Sequence, residues 1–371
     1  MAPPGPDPRP LAGMFVLDFS TLLPGPLATL ILAEAGAEVI KIERPGAGDD
    51  MRHFPPQLRS PGLAGESAVF ALLNRGKRSL ALDLKAADAI DRLRPLLARA
   101  DVLVEQFRPG VMDRLGLGYA VVSAQNPRLI YCSITGYGQH GPRAQQAGHD
   151  LTYMADSGLL GLVAGANGAP VLPPALVADI GGGAYPAMIN ILLALQARAR
   201  TGRGCHLDVS MHDNLLPFAF AALAEGFASG GFPAPNTLLT HGGTPRYQIY
   251  RMADGRFLAA APLEDRFWRA FCDAAGLPET ATTDDVAARI AAHDSAEWSR
   301  RFAGRDVCCS LVASPEEAAA DPHFAARGLF AHRVGAAGRA LPALPVPVDP
   351  QFRAAPGLRE SPALGEADAE G

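Results

Sequence analysis

The run Met14-Phe15-Val16-Leu17-Asp18-Phe19 enters the turn Leu22-Leu23-Pro24-Gly25-Pro26 and then the Ala/Leu-rich segment from Leu27 to Ala35. Gly36 closes that segment, and Ala37-Glu38-Val39-Ile40-Lys41-Ile42-Glu43 follows. The two apolar runs have strand character, and the segment between them has helical character with a glycine stop. Strand, tight turn, helix and strand at this spacing make a βαβ unit, which requires a parallel sheet. The turn lacks the G-x-G-x-x-G pattern, so a nicotinamide cofactor does not follow from the fold.

The pattern repeats outward from this unit. Strands are expected at Arg78–Leu84, Asp101–Glu105, Leu129–Ile134 and Gly204–Ser210, with an amphipathic helix at Ala86–Ala100. Further helices are expected at Leu151–Leu162, Ala184–Ala199 and Leu215–Ala228. The fold class is therefore α/β: a Rossmann-like, doubly wound parallel sheet over residues 1–225. A Gly/Pro-rich crossing at 226–245 leads to a smaller α+β domain at 246–330, which starts with a hairpin around Ala253-Asp254-Gly255. Residues 331–371 form a C-terminal segment expected to return to the large domain, with a Pro-rich, partly disordered end.

Composition narrows the function classes. Hydrophobic residues make up 48% and charged residues 19% of the 371 positions, a globular balance. The net charge of −5 gives no reason to expect nucleic acid or an anionic membrane as partner. No apolar run reads as long and pure enough to span a bilayer, and the first ten residues carry no apolar signal core. The five cysteines (Cys132, Cys205, Cys272, Cys308 and Cys309) have neither disulfide-framework nor zinc spacing. They read as free thiols of a cytoplasmic protein.

Two proton-transfer side chains stand out. His149 lies in Gly148-His149-Asp150-Leu151-Thr152-Tyr153 and Asp179 in Ala178-Asp179-Ile180-Gly181-Gly182-Gly183, each just before an expected helix. Helix starts offer unpaired N–H groups and a positive dipole end, which suit developing negative charge. An Asp before a helix is also an ordinary N-cap. Arginines recur at expected strand ends: Arg44, then Gln106-Phe107-Arg108, with Arg114 beyond. Guanidinium forks match phosphate oxygens, and Phe107 offers a stacking face. No His/Cys/Asp cluster has metal-ligand spacing, and His140, His206, His212 and His241 read as structural.

Segments Val39–Pro45, Asn74–Lys85, Asp101–Gly118, Ile134–Pro142, Gly148–Tyr153, Pro173–Gly183 and Pro362–Glu366 together resemble the class III coenzyme A transferase family (the CaiB/BaiF type), closest to its α-methylacyl-CoA racemase branch. The resemblance implies His149 and Asp179 as the two bases, Asp150 beside them, and Glu264 of the small domain as hydrogen-bond partner of His149. It implies that Arg44, Leu82, Asp83, Leu84, Lys85, Gln106, Phe107, Arg108 and Arg114 hold the coenzyme A moiety. Gly148, Leu151, Thr152 and Tyr153 would line the thioester. It also implies an interlocked homodimer, with an acyl-CoA thioester as substrate and no cofactor beyond the coenzyme A it carries.

The implied chemistry is two-base 1,1-proton transfer through an enolate, with no metal required. Backbone N–H groups near Asp150 would hold the enolate oxygen. Two alternatives stay open: a CoA transferase in which the Asp179 carboxylate attacks the thioester carbonyl, and a silent CoA-ester binding protein. The apolar run Leu215–Phe232 is expected along the acyl path, which favours a hydrophobic acid.

Overall fold

The computed structural model describes residues 7–61 and 65–367, which divide into two compact units. The larger comprises residues up to 157, 174–216 and 325 onward; the smaller comprises 158–173 and 217–324.

The larger unit is built on the sheet expected from sequence. Its leading elements are β1 (Phe15–Asp18), α1 (Pro24–Glu34), β2 (Glu38–Glu43), the short ladder β3 (Gln57–Leu58) with β4 (Glu66–Ser67), α2 (Ala68–Asn74) and β5 (Arg78–Ala81). Then come α3 (Ala89–Arg99), β6 (Val102–Glu105), α4 (Val111–Arg114), α5 (Tyr119–Gln125), β7 (Ile130–Thr135), α6 (Asp150–Asp156), α7 (Tyr185–Thr201) and β8 (Cys205–Ser210). Six strands pair in parallel in the order β5-β2-β1-β6-β7-β8. Counted within the sheet this is 3-2-1-4-5-6, and the direction of winding reverses between β1 and β6. In such sheets ligands collect in the crevice beyond the carboxyl ends of the strands at that reversal.

Alternation along β1 shows both faces covered. Leu17 joins Leu93 and Leu97 of α3, Val122 of α5, Leu103 and Tyr131 in one buried cluster. Asp18 points the other way and accepts from Thr29 of α1 at 2.6 Å. Every residue of α1 is buried, its two polar members paired: Thr29 with Asp18, and Glu34 with both Arg75 and Arg353 at 2.9 Å. In α3 only Ala89, Leu93 and Leu97, one helical face, turn inward.

Three helix expectations change in detail. The run from Leu151 ends as α6 at Asp156, because Gly158 adopts φ +80° before a 3-10 turn at Leu159–Leu162. The run from Leu215 is a 3-10 segment, Asp213–Ala219, before α8 (Phe220–Ser229). Pro217, which lacks an N–H, sits inside that segment. The helix expected from Ala184 is α7, preceded by a π-helical turn at Ala178–Ala184. Together these make one helical run, Ala178–Thr201, that is long and apolar enough to cross a membrane by length and composition, contrary to the sequence reading. It nonetheless buries Ala187, Ile191, Ala194 and Arg198 within the fold, the last paired with Asp101 at 2.8 Å.

The unit boundaries differ from the expected 225 and 246. The α8 helix groups with the smaller unit, as does the loop 158–173. Asn236, at φ +62°, grips that loop: its N–H donates to the Leu162 carbonyl, and its amide bonds both backbone groups of Ala164. The smaller unit is α+β. A three-stranded antiparallel sheet of β9 (Gln248–Arg251), β10 (Phe257–Ala260) and β11 (Cys309–Leu311) packs with α9 (Asp265–Ala275), α10 (Thr283–Ala291) and α11 (Ser295–Phe302). Its core stacks Trp268, Phe271, Phe302 and Trp298.

The C-terminal segment groups with the larger unit and is more regular than its proline content predicts. It forms β12 (Arg333–Ala336), β13 (Arg339–Pro342) and β14 (Leu358–Glu360) in one sheet. The Glu360 carbonyl accepts from Gly76 N–H at 2.9 Å, and Gly365 N–H donates to Ser79 Oγ at 3.1 Å. Residues 368–371, where disorder was expected, lie outside the described residues.

Candidate active site

After β1 the chain makes the turn that a glycine-rich loop makes in dinucleotide enzymes, but charge holds it instead. Asp18 accepts from Ser20 N–H at 3.0 Å and from the Ser20 hydroxyl, and pairs with Lys77 at 3.1 Å. Lys41 donates to the Ser20 carbonyl at 2.6 Å and pairs with Asp49 at 2.9 Å, and Asp49 accepts from Leu22 N–H at 3.1 Å. All four charged side chains are 0% exposed. Burial works against the Asp18 carboxylate, but Lys77 and Lys41 beside it hold its pKa below the usual carboxylate range. Burial lowers that of the Lys77 ammonium against the pull of Asp18.

That turn forms one wall of a cavity of about 350 Å³ at the carboxyl ends of the strands, where the winding reverses. Thr21, Leu22 and Pro24 follow β1; Gln106, Phe107 and Arg108 follow β6; Thr135 and Gly136 end β7. Gly148, His149, Tyr153 and Asp179 complete it. The structure thus brings His149 and Asp179, both singled out from sequence, to one cavity. Thr21, Leu22 and Met211, which also line it, were not singled out from sequence; their signal was position, just beyond the carboxyl ends of β1 and β8.

Local packing fixes His149. The Thr152 hydroxyl accepts from His149 N–H at 2.9 Å and donates to the His149 carbonyl at 2.8 Å, pinning the start of α6. The Tyr153 hydroxyl donates to the Gly148 carbonyl at 2.7 Å. A Cβ on Gly148 would lie 2.4 Å from the Tyr153 ring, so glycine is required there by contact. Leu151 and Thr152 are exposed and do not line the cavity.

Asp179 stands in the first turn of the π-helical segment, a geometry that recurs at functional sites. The glycines after it allow close approach, since a Cβ on Gly182 would lie 2.3 Å from the Met211 carbonyl oxygen. Burial pushes the Asp179 carboxyl up to about 6; the nearby Asp150 adds to this and His149 opposes it. Asp150, expected among the catalytic groups, is itself buried. Its Oδ1 accepts from Ala178 N–H at 2.6 Å and Asp179 N–H at 3.0 Å. It therefore ties the start of the helix beside His149 to the turn that carries Asp179.

A second cavity of about 560 Å³ is lined by Arg44, Leu82, Asp83, Leu84 and Lys85, with Val111 and Leu115. Phe107 and Thr21 line both cavities, so the ring of Phe107 is their common wall. Arg44 is engaged with the Asp50 carboxylate and the Gly48 carbonyl. Gln106 Oε1 accepts from Gly25 N–H at 2.9 Å, locking the turn after β6 against α1. Arg114 is exposed on α4 and lines neither cavity. Glu264, in the smaller unit, is exposed immediately before α9 and makes no capping hydrogen bond there. Among the described residues no group of three or more His, Cys, Asp or Glu is placed to hold a metal ion.

The family model described as CoA-transferase family III matches residues 11–368. The chain is 34% identical over 369 residues to the alpha-methylacyl-CoA racemase of Homo sapiens, spanning 96% of this chain and 91% of that protein. It is also 40% identical over 280 residues to the acetyl-CoA:oxalate CoA-transferase of Acetobacter aceti, spanning 74% of this chain and 68% of that protein. Among solved structures, a CAIB/BAIF family protein from Brucella suis superposes with a TM-score of 0.82 at 30% identity, over 98% of both chains.

Proposed function

This chain belongs to CoA-transferase family III, and from that premise we propose that it is an α-methylacyl-CoA racemase, epimerising the α-carbon of 2-methylacyl thioesters. The observation that carries the reading is the shared cavity of His149 and Asp179, with Asp150 tying their two helical segments together. A proton α to a thioester carbonyl is weakly acidic, and its removal gives an enolate. Racemisation needs one group on each face, one to abstract and one to donate. A carboxyl raised to about 6 can do either near neutrality. Thr152 and Tyr153 N–H both donate to the His149 carbonyl, so enolate stabilisation at the start of α6 falls to the amides of Asp150 and Leu151. No cofactor beyond coenzyme A is needed.

The test is incubation with a 2-methylacyl-CoA in D₂O, following α-deuterium by NMR. Deuterium should enter as the enantiomers equilibrate; failure to do either overturns the reading. The second reading, CoA transfer through an Asp179 anhydride, is favoured by the 40% identity to the oxalate transferase. Transfer of coenzyme A to free succinate or oxalate would establish it.

The two cavities meeting at Phe107 support binding of an extended nucleotide thioester, with Arg108 of the first cavity at its phosphates and Arg114, exposed on α4 outside both cavities, as an outer contact. Replacing either arginine with Ala should weaken free coenzyme A by about 1.5–3 kcal/mol, the scale of a charge-assisted contact. Calorimetry on both variants checks this, and unchanged affinity in both would remove the phosphate assignment.

A cytoplasmic homodimer is part of the proposal. All five cysteines are free thiols. On α7, Ile189 and Leu193 are 51% and 62% exposed, with Tyr185 and Leu192 beside them. Such a stripe on a soluble chain calls for a partner. Glu264 would then be the small-domain group that reaches a His149. Sedimentation should give a dimer, with thermal stability rising with protein concentration. A fully active monomer would contradict it.

A further inference from the structure

The mechanism leaves several buried carboxyls unused, Glu105 among them. Glu105 ends β6 where the winding reverses, and the residue is only 4% exposed. Its Oε2 accepts from Phe107 N–H at 2.8 Å, and Ser133, its register partner on β7, sets its hydroxyl beside the carboxyl and opposes the effect of burial. Ser133 Oγ lies 2.9 Å from His206 Nε2, and the imidazole stacks on Tyr119 at 5.1 Å. Carboxyl, hydroxyl and imidazole thus form a line across β6, β7 and β8. What this line holds is the start of the turn that carries Phe107, the wall common to both cavities, and Arg108, which lines the first. Gln106, between Glu105 and Phe107, is fixed separately, to Gly25.

We propose that Glu105 is a positioning residue for coenzyme A binding: its carboxylate, anchored through Ser133, holds the Phe107–Arg108 turn in the shape that receives the ligand. The inference rests on the two cavities being the coenzyme A site. Burial pushes the Glu105 carboxyl up to about 7, against the hydrogen bonds from Ser133 and the Phe107 amide; Asp113 of α4 and Asp208 of β8 add to the rise. Tyr131 and His206 face the same space, with His140 and Arg108 at its edge. An ionised carboxylate accepts an amide hydrogen bond roughly twice as strongly as a neutral oxygen. The turn is therefore held more firmly above about pH 7 than below it.

The experiment compares Glu105→Gln with the parent from about pH 6 to pH 8, measuring KM and kcat for a 2-methylacyl-CoA and Kd for free coenzyme A. The ratio of variant to parent KM cancels the ligand's own titration. It should rise from near one at the acid end to on the order of tenfold at the alkaline end, with kcat within about threefold. Ser133→Ala should raise KM in the same direction, and it carries the test if Glu105→Gln fails to fold. A KM ratio flat across pH, or a loss confined to kcat, overturns the proposal. A parent protein with no affinity for free coenzyme A would instead overturn the cavity assignment on which the proposal rests.

Discussion

His149→Ala and Asp179→Asn should each lose racemisation by about 10²-fold or more, the scale of a general acid–base contribution. The expectation comes from the need for one proton carrier per face: with either gone, the enolate can be reprotonated only from the side it came from. Each variant should still exchange the α-proton of one enantiomer in D₂O, and the two variants should prefer opposite enantiomers. A transferase behaves differently, because it needs the Asp179 carboxylate as nucleophile and can spare His149.

The Asp179 environment supplies a control and a pH dependence. Burial disfavours its ionised form, so at neutral pH the folded state carries the cost of that charge. The sign follows from a folded pKa above the unfolded value: ionisation on raising pH through about 6 destabilises the fold. Asp179→Asn should therefore be at least as stable as the parent at pH 7, and its lost activity cannot be put down to unfolding. In the parent, the direction in which Asp179 donates should slow as pH rises through about 6, while the direction in which it abstracts should speed up. Racemisation that survives in His149→Ala would refute the two-base assignment.

The parallel sheet was legible because its central strands β1, β6 and β7 are short, largely apolar runs buried on both faces. His149 and Asp179 were legible as residue types at helix starts. Asp150 was not separable from them in role, since its partners, the amides of Ala178 and Asp179, lie 28 and 29 positions away. The boundary of the smaller unit was hidden for the same reason: the grip of Asn236 on Ala164 spans 72 positions. The helix from Leu215 was misjudged because its apolar content outweighed Pro217. Least visible was the buried quartet. Asp18, Lys41, Asp49 and Lys77 are scattered along the sequence, yet together they replace the glycine fingerprint whose absence the sequence did show.

That quartet carries the largest stability effect expected in the chain. Lys77 Nζ donates to Asp18 Oδ2, the Pro26 carbonyl at 2.9 Å and Asn74 Oδ1 at 2.8 Å, with no exposure to water. Lys77→Met fills much of the same volume but leaves Lys41 as the only cation beside the Asp18 carboxylate, and takes from the Asn74 amide oxygen the donor it faces. Breaking one side of a buried pair in this way costs about 3–5 kcal/mol. Urea unfolding should register that loss, and a double-mutant cycle with Asp18→Asn should give a coupling of about 1.5 kcal/mol or more. The cavity wall Thr21–Pro24 hangs from the same ions, so the folded fraction of Lys77→Met should also bind coenzyme A more weakly. A variant that unfolds within about 1 kcal/mol of the parent would mean that the turn after β1 is held by packing on α1 and not by charge.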